Sequence, residues 1–282
     1  MAILPIDSGR YGTKEMLAIF SEQKKIDYQL EIEAAAALSQ SEIKLISKNI
    51  ANDIAKNARS GRITNKRIKQ LETKTDHDTA ALVEALAEKC QKQSRPWIHY
   101  GLTSNDLVDT SNSLQMRDAL KIIQPKVSKL SLILAKSAQK YKNVPAVGRT
   151  HGQHASIISF GLKFANWAAE MSTHLERLDE LKKRILICKT LGVVGTGSMM
   201  GKNAIKVQEK VSKKLSLFPA KVTTQIVPRE RYAEYVFQLS LLGATLEKIA
   251  VEIRNLQRTE VGEVEEFFSK QQKVDNSSLL RL

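Results

Sequence analysis

The sequence predicts an all-α protein, with a small N-terminal helical domain followed by a bundle of long helices. Three observations predict it. Six prolines and thirteen glycines are few for 282 residues, so little punctuates the chain. Three stretches carry apolar residues at steps of three and four, the period of one helix face. No strand-rich region and no fixed-period internal repeat is visible.

In chain order, 14–39 and 63–91 read as helices. Between them lie a helical stretch at 41–58 and a break at Ser60-Gly61. Residues 1–100 form the expected N-terminal domain, and 101–270 the bundle. The first long stripe is Leu120, Ile123, Val127, Leu130 and Leu134, a coiled-coil-like seam. Thr103 precedes Asp106 by three, a capping-box-like start. Pro125 inside this helix is expected to kink it. Pro145 and Gly148 break the chain before the second stripe, which runs from Ile157 through Gly161, Phe164, Ala168, Met171, Leu175 and Leu178 to Ile185. Pro228 precedes the third, Tyr232, Val236, Leu239, Gly243, Leu246, Ala250 and Ile253. Taken over 229–267, that helix would reach nearly ~60 Å. Such helices pack side by side at small angles, and Gly161, Ala168, Gly243 and Ala250 would let them approach closely.

Composition bounds the function. The chain carries a formal net charge of +14, which raises the question of a polyanion partner. Its basic clusters, Lys24-Lys25, Lys182-Lys183-Arg184 and Lys213-Lys214, are dispersed along the chain. Aromatics are 5% and do not interleave with them as a base-stacking platform would, so no specific nucleic-acid partner is expected. No apolar run approaches the roughly 18 residues of a membrane span, and the first residues lack a signal-peptide pattern. Two cysteines, Cys90 and Cys188, are too few for a disulfide framework, which fits the cytoplasm.

Two short polar segments carry the chemistry. Trp97-Ile98-His99-Tyr100-Gly101-Leu102-Thr103-Ser104-Asn105-Asp106 combines a histidine with hydroxyls at a helix start, where free N–H groups hold anions. Gly148-Arg149-Thr150-His151-Gly152-Gln153-His154 is expected to lead likewise into a helix. His151 and His154 lack a third ligand at suitable spacing, so a general acid or base suits His151 better than a metal role. His77, in Thr75-Asp76-His77-Asp78, reads as a helical histidine whose charged form its carboxylate neighbours would favour. Gly192, Gly195, Gly197 and Gly201 follow no strand, so they read as a flexible connection and not a dinucleotide fingerprint. Gln225 and Arg229, after Thr223-Thr224, are positioned to meet a polar or anionic group.

Together these stretches resemble the adenylosuccinate lyase family of the fumarase/aspartase superfamily. The resemblance runs through Ser8-Gly9-Arg10-Tyr11-Gly12, the His77 turn, 97–110, 148–155, Val194-Gly195-Thr196, 225–235 and 251–268, the last reading VEIRNLQRTEVGEVEEFF. It implies a long-helix bundle of the fumarase/aspartase type. It also implies a β-elimination releasing fumarate from adenylosuccinate, giving AMP, and from the succinylocarboxamide ribotide of purine synthesis. By position, His151 matches the general acid and His77 a supporting catalytic histidine. Arg10 and Tyr11 match residues at the nucleotide phosphate. Asp76, His77 and Asp78 match a substrate-binding turn, although Asp76 stands where a basic residue is common. Thr103 and Ser104 match binders of the succinyl carboxylate, and Gln225 a further contact. No cofactor or metal is implied. The family assembles as a homotetramer with shared active sites.

One departure stands out. The family continues into a Gly-Ser-Ser loop that carries the catalytic base, followed by Met-Pro and a lysine. Here 271–282 reads QQKVDNSSLLRL, an aberrant tail. Ser277-Ser278 lacks the flanking residues and receives no role. The chain is therefore expected to be truncated and impaired on its own. The alternative is an inactive truncated paralogue acting as a nucleotide-binding or assembly partner.

Overall fold

The computed structural model describes residues 11–265. Helix dominates it, as the sequence predicts. The first five helices are α1 (Lys14–Ile19), α2 (Glu22–Glu42), α3 (Lys48–Ala58), α4 (Asn65–Thr75) and α5 (Asp78–Ala87). Each opens on a side-chain cap that satisfies an orphan N–H: Thr13, Ser21, Ser47, Thr64 and His77. The chain forms two compact units. Of the described residues, one holds 11–128 and 174–238, the other 129–173 and 239–265.

Helix α2 is the buried centre of the first unit. Ile32, Ala34 and Ala35 are wholly buried, and so are the polar Glu33 and Gln40. Glu33 and Gln40 are seven residues apart and so share one helix face. Both reach the 99–101 turn, as described below.

Helix α6 (Ser104–Lys140) runs through Pro125 without interruption. Leu107 and Leu114, then Leu120, Val127 and Leu134, are buried along it, so the expected seam is the buried one. Helix α7 (Phe160–Ile185) buries Trp167, Met171, His174, Leu178, Leu181 and Ile185, again at steps of three and four.

The third stripe falls differently. Helix α9 (Glu230–Leu256) buries Tyr235, Leu242, Ile249 and Leu256, while Val236, Leu246 and Ile253 of the expected stripe are exposed. The helix carries apolar residues on more than one side, and the described residues cover only part of them. At 27 residues it spans about 40 Å, not 60. Beyond Leu256 the backbone turns, with the Glu263 N–H donating to Leu256 O and Gly262 at φ +59.

The second correction is at 145–159. This stretch is an antiparallel hairpin of β1 (Pro145–Thr150) and β2 (Gln153–Ser159), not a helix start. Its two-residue turn is His151-Gly152, with φ of +53 and +72, the paired positive φ of a type I′ turn. β-Branched Val147, Thr150, Ile157 and Ile158 suit strands. The apolar count from Ile157 onward hid this, because a helical stripe was extended three residues into the second strand.

Helix α7 then begins against the end of α6. Gly161 is required there, since a Cβ would lie 2.5 Å from Ala138 O and 2.8 Å from Lys142 N. Gly243 meets nothing within 4 Å, so its expected close approach is not made within the described residues. Tyr141, Phe160, Phe164 and Trp167 form a cluster of ring contacts at 5.4–5.7 Å, edge-to-face except for Tyr141 stacked on Phe164.

After α7, β3 (Ile187–Cys188) pairs in parallel with β4 (Phe218–Pro219) across helix α8 (Ala204–Leu215). No helix among the described residues is long and apolar enough to cross a membrane.

Candidate active site

The first unit assembles the 97–106 segment, the glycine stretch and the 223–229 loop. The backbone at His99 and Gly101 is left-handed, with φ of +62 and +76. Buried side chains of α2 hold this strained turn. Glu33 Oε2 accepts the His99 N–H at 2.9 Å, and Oε1 lies 2.6 Å from His99 Nδ1. Gln40 donates to Tyr100 O at 2.8 Å. Burial opposes a charged His99 ring, but the hydrogen bond and charge of Glu33, with Asp106 behind it, outweigh burial and raise its pKa.

Thr103 and Ser104 are half-buried at the start of α6. Asp106 plays a larger part than a cap. It is fully buried, and its Oδ2 accepts the N–H groups of Thr103 at 3.0 Å and Gly192 at 2.9 Å. Its Oδ1 pairs with the equally buried Lys189, whose Nζ also donates to Gly192 O at 3.1 Å. Burial pushes the Asp106 carboxyl up, against the pull of Lys189 and the two amides. Thr110 Oγ1 accepts the Lys189 N–H and donates to Lys189 O, both at 3.1 Å. This node ties the hydroxyl-bearing helix start to the glycine stretch.

The glycine stretch is packed, contrary to the flexible connection expected from sequence. A Cβ on Gly192 would lie 3.1 Å from Gly101 O. One on Gly195 would lie 2.2 Å from Thr223 O and 2.8 Å from Thr224 O. Both have positive φ, so only glycine fits twice over. Through these contacts Thr103, Ser104 and exposed Gln225 stand on loops joined by one connection. Arg229 does not await an external anion. It pairs at 2.6 Å with buried Asp109, which also accepts the Val227 N–H at 2.8 Å and the Tyr232 hydroxyl at 3.3 Å.

His77 is not inside a helix. It caps α5 from extended backbone, with Nδ1 accepting the N–H of Thr79 at 3.2 Å and Ala80 at 3.4 Å. Nδ1 is unprotonated in this role, which leaves the ring proton to Nε2. Asp76 ends α4 at φ +48, and Asp76, His77 and Asp78 are all exposed. Tyr11 is exposed, while Arg10 lies outside the described residues.

The second unit presents His151 at the exposed hairpin tip. Behind it, Arg149 pairs with Glu263 at 2.6 Å, tying the hairpin to the turn after α9. Sequence reading missed Glu33, Lys189, Asp109 and this pair. A signal existed for two of them. Glu33 precedes four alanines, and Lys189 interrupts the apolar run 185–191. A charge in an apolar run is buried only when paired.

The described residues thus combine long helices with polar loops at their starts and exposed histidines. Residues 9–280 match the lyase family, and the chain belongs to it. Among its relatives, the adenylosuccinate lyase of Methanocaldococcus jannaschii is 44% identical over 279 residues, 99% of this chain and 60% of the relative. That of Archaeoglobus fulgidus is 43% identical over 272 residues, 96% of this chain and 60% of the relative. The chain thus spans about 60% of the length of the curated relatives it matches. A fumarate lyase from Mesorhizobium sp. BNC1 superposes with a TM-score of 0.82 at 30% identity, over 89% of this chain and 60% of that one. A β-carboxy-cis,cis-muconate cycloisomerase from Acinetobacter calcoaceticus sp. ADP1 gives 0.81 at 26% identity, over 89% and 59%.

Proposed function

We propose that this chain serves the β-elimination of fumarate from adenylosuccinate, giving AMP, and from the succinylocarboxamide ribotide of purine synthesis. The observation that carries this is the 44% identity, across almost the whole chain, to a protein named for that reaction. In the reaction a base takes a proton from the succinyl Cβ. The electron pair forms the fumarate double bond as the C–N bond breaks, and a general acid protonates the departing nitrogen.

His151 is our general acid. A non-glycine residue at positive φ on an exposed turn is costly, and such strain is kept where it serves a site. His77 supports the substrate through Nε2, with Asp76 and Asp78 beside it. Thr103 and Ser104 hold the succinyl carboxylate, Gln225 makes a further contact, and Arg10 and Tyr11 meet the phosphate. No residue of this chain is assigned as the base, and no cofactor or metal is invoked.

We further propose a homotetramer with shared sites. The exposed face of α9, with Val236, Phe237, Leu246 and Ile253, supplies the apolar surface that partner helices would cover. The proposed domains are 1–100 and 101–270, with the 271–282 tail outside the described residues. We place the protein in the cytoplasm, where its two buried free cysteines remain reduced.

The test is fumarate release from adenylosuccinate by the purified protein. Release sensitive to His151 substitution is expected. Saturable binding without release would select the second reading, a nucleotide-binding or assembly partner. Neither binding nor release, with no association with another chain, would refute both.

A further inference from the structure

The 97–106 turn holds a histidine that the proposed mechanism leaves unused. His99 Nδ1 faces Glu33 Oε1 at 2.6 Å, and its backbone N–H donates to Glu33 Oε2 at 2.9 Å. The Glu33 side chain is 2% exposed and that of His99 is 20% exposed. Both oxygens of this buried carboxylate are used on a single residue. The histidine it holds sits at φ +62, a conformation that costs free energy and needs such a hold. Four residues on, the substrate-facing Thr103-Ser104 helix start begins.

We infer that Glu33 is a positioning residue: it fixes His99 as the Nδ1–H tautomer and leaves Nε2 as the edge that meets substrate. This rests on the proposed function for placing substrate beside the 97–106 segment. A carboxylate behind imidazole sets its orientation and the basicity of the opposite nitrogen, as in triads and metal sites. Two charged groups shape the ring's titration, Glu33 from α2 and Asp106 from α6, the latter itself paired to Lys189. Glu33 outweighs Asp106 because it touches the ring. His77 is the internal contrast, since its Nδ1 accepts from the backbone and its tautomer is the opposite one.

The experiment is a long-range nitrogen–proton NMR titration of the whole chain with 15N-labelled histidine. The chain has five histidines, and loss of a signal in His99→Gln assigns it. In the parent, His99 is expected to show Nδ1–H and His77 Nε2–H. Glu33→Gln keeps an acceptor but removes the charge. It should retain the His99 tautomer and shift the titration midpoint down. Glu33→Ala should lose the tautomer as well. An Nε2–H tautomer for His99 in the parent, or an unmoved midpoint in Glu33→Gln, overturns the inference. The parent result alone decides if a variant fails to fold. None of these readouts depends on turnover, so a failure of the proposed reaction shows separately, as adenylosuccinate neither bound nor cleaved.

Discussion

Replacing Lys189 by methionine removes the cation that pairs, among the described residues, with the wholly buried carboxylate of Asp106. Methionine fills most of the same space, so the change is chiefly one of charge. Breaking a buried pair from one side costs about 3–5 kcal/mol, because the remaining charge has no partner. Asp106 keeps its N–H donors from Thr103 and Gly192, which holds the cost toward the lower end. Adding Asp106→Asn removes the charge itself. One amide oxygen then serves two N–H donors, a loss of about 1 kcal/mol or slightly more. The single variants are therefore each costly, and the double variant is more stable than either. Burial already raises the Asp106 pKa above that of an unfolded chain, and loss of Lys189 raises it further. A folded-state pKa above the unfolded one means that stability falls as pH rises through that interval. The Lys189→Met deficit should accordingly be smaller near about pH 5 than near about pH 8. Urea unfolding of the four proteins, read as a double-mutant cycle, gives the coupling. A deficit in Lys189→Met below about 1 kcal/mol, or additive single effects, would refute the reasoning.

Three further outcomes are expected. His77→Ala loses the α5 cap, about 1 kcal/mol, and substrate binding, whereas His77→Asn keeps the cap and loses only binding; thermal melts beside calorimetry separate the two. Gly195→Ala should destabilise by at least about 1–2 kcal/mol in denaturant titrations, through its positive φ and its clash with Thr223 O. The folded-state pKa of His99 is raised, so the stability this residue contributes is fully present below the ordinary histidine range and lost as pH rises through the folded value. Unfolding free energies across neutral pH should show that slope in the parent and lose it in Glu33→Gln.

The sequence pattern reached the long helices because their apolar residues recur at one period over many turns. The α6 seam of Leu120, Val127 and Leu134 is the clearest case. In α9 the pattern marks a stripe of which Val236, Leu246 and Ile253 are exposed, while Tyr235, Leu242, Ile249 and Leu256 are buried; periodicity cannot say which apolar residues meet their own chain. The hairpin was hidden for a different reason. A His-Gly turn is a weak signal beside Asn-Gly, and only the backbone shows both residues left-handed. Exposed candidates such as His77, His151 and Gln225 are legible as residue types. The pairings of Glu33 with His99 and of Asp106 with Lys189 are not, because contacts across 66 or 83 residues are a property of the fold.

The most direct test compares parent and His151→Asn for adenylosuccinate binding and fumarate release. Asparagine tolerates the left-handed turn and so spares the hairpin. The account predicts saturable binding in both, with release strongly reduced in the variant. Equal release from the two proteins would contradict the role of His151, and a parent that does not bind adenylosuccinate would contradict the function.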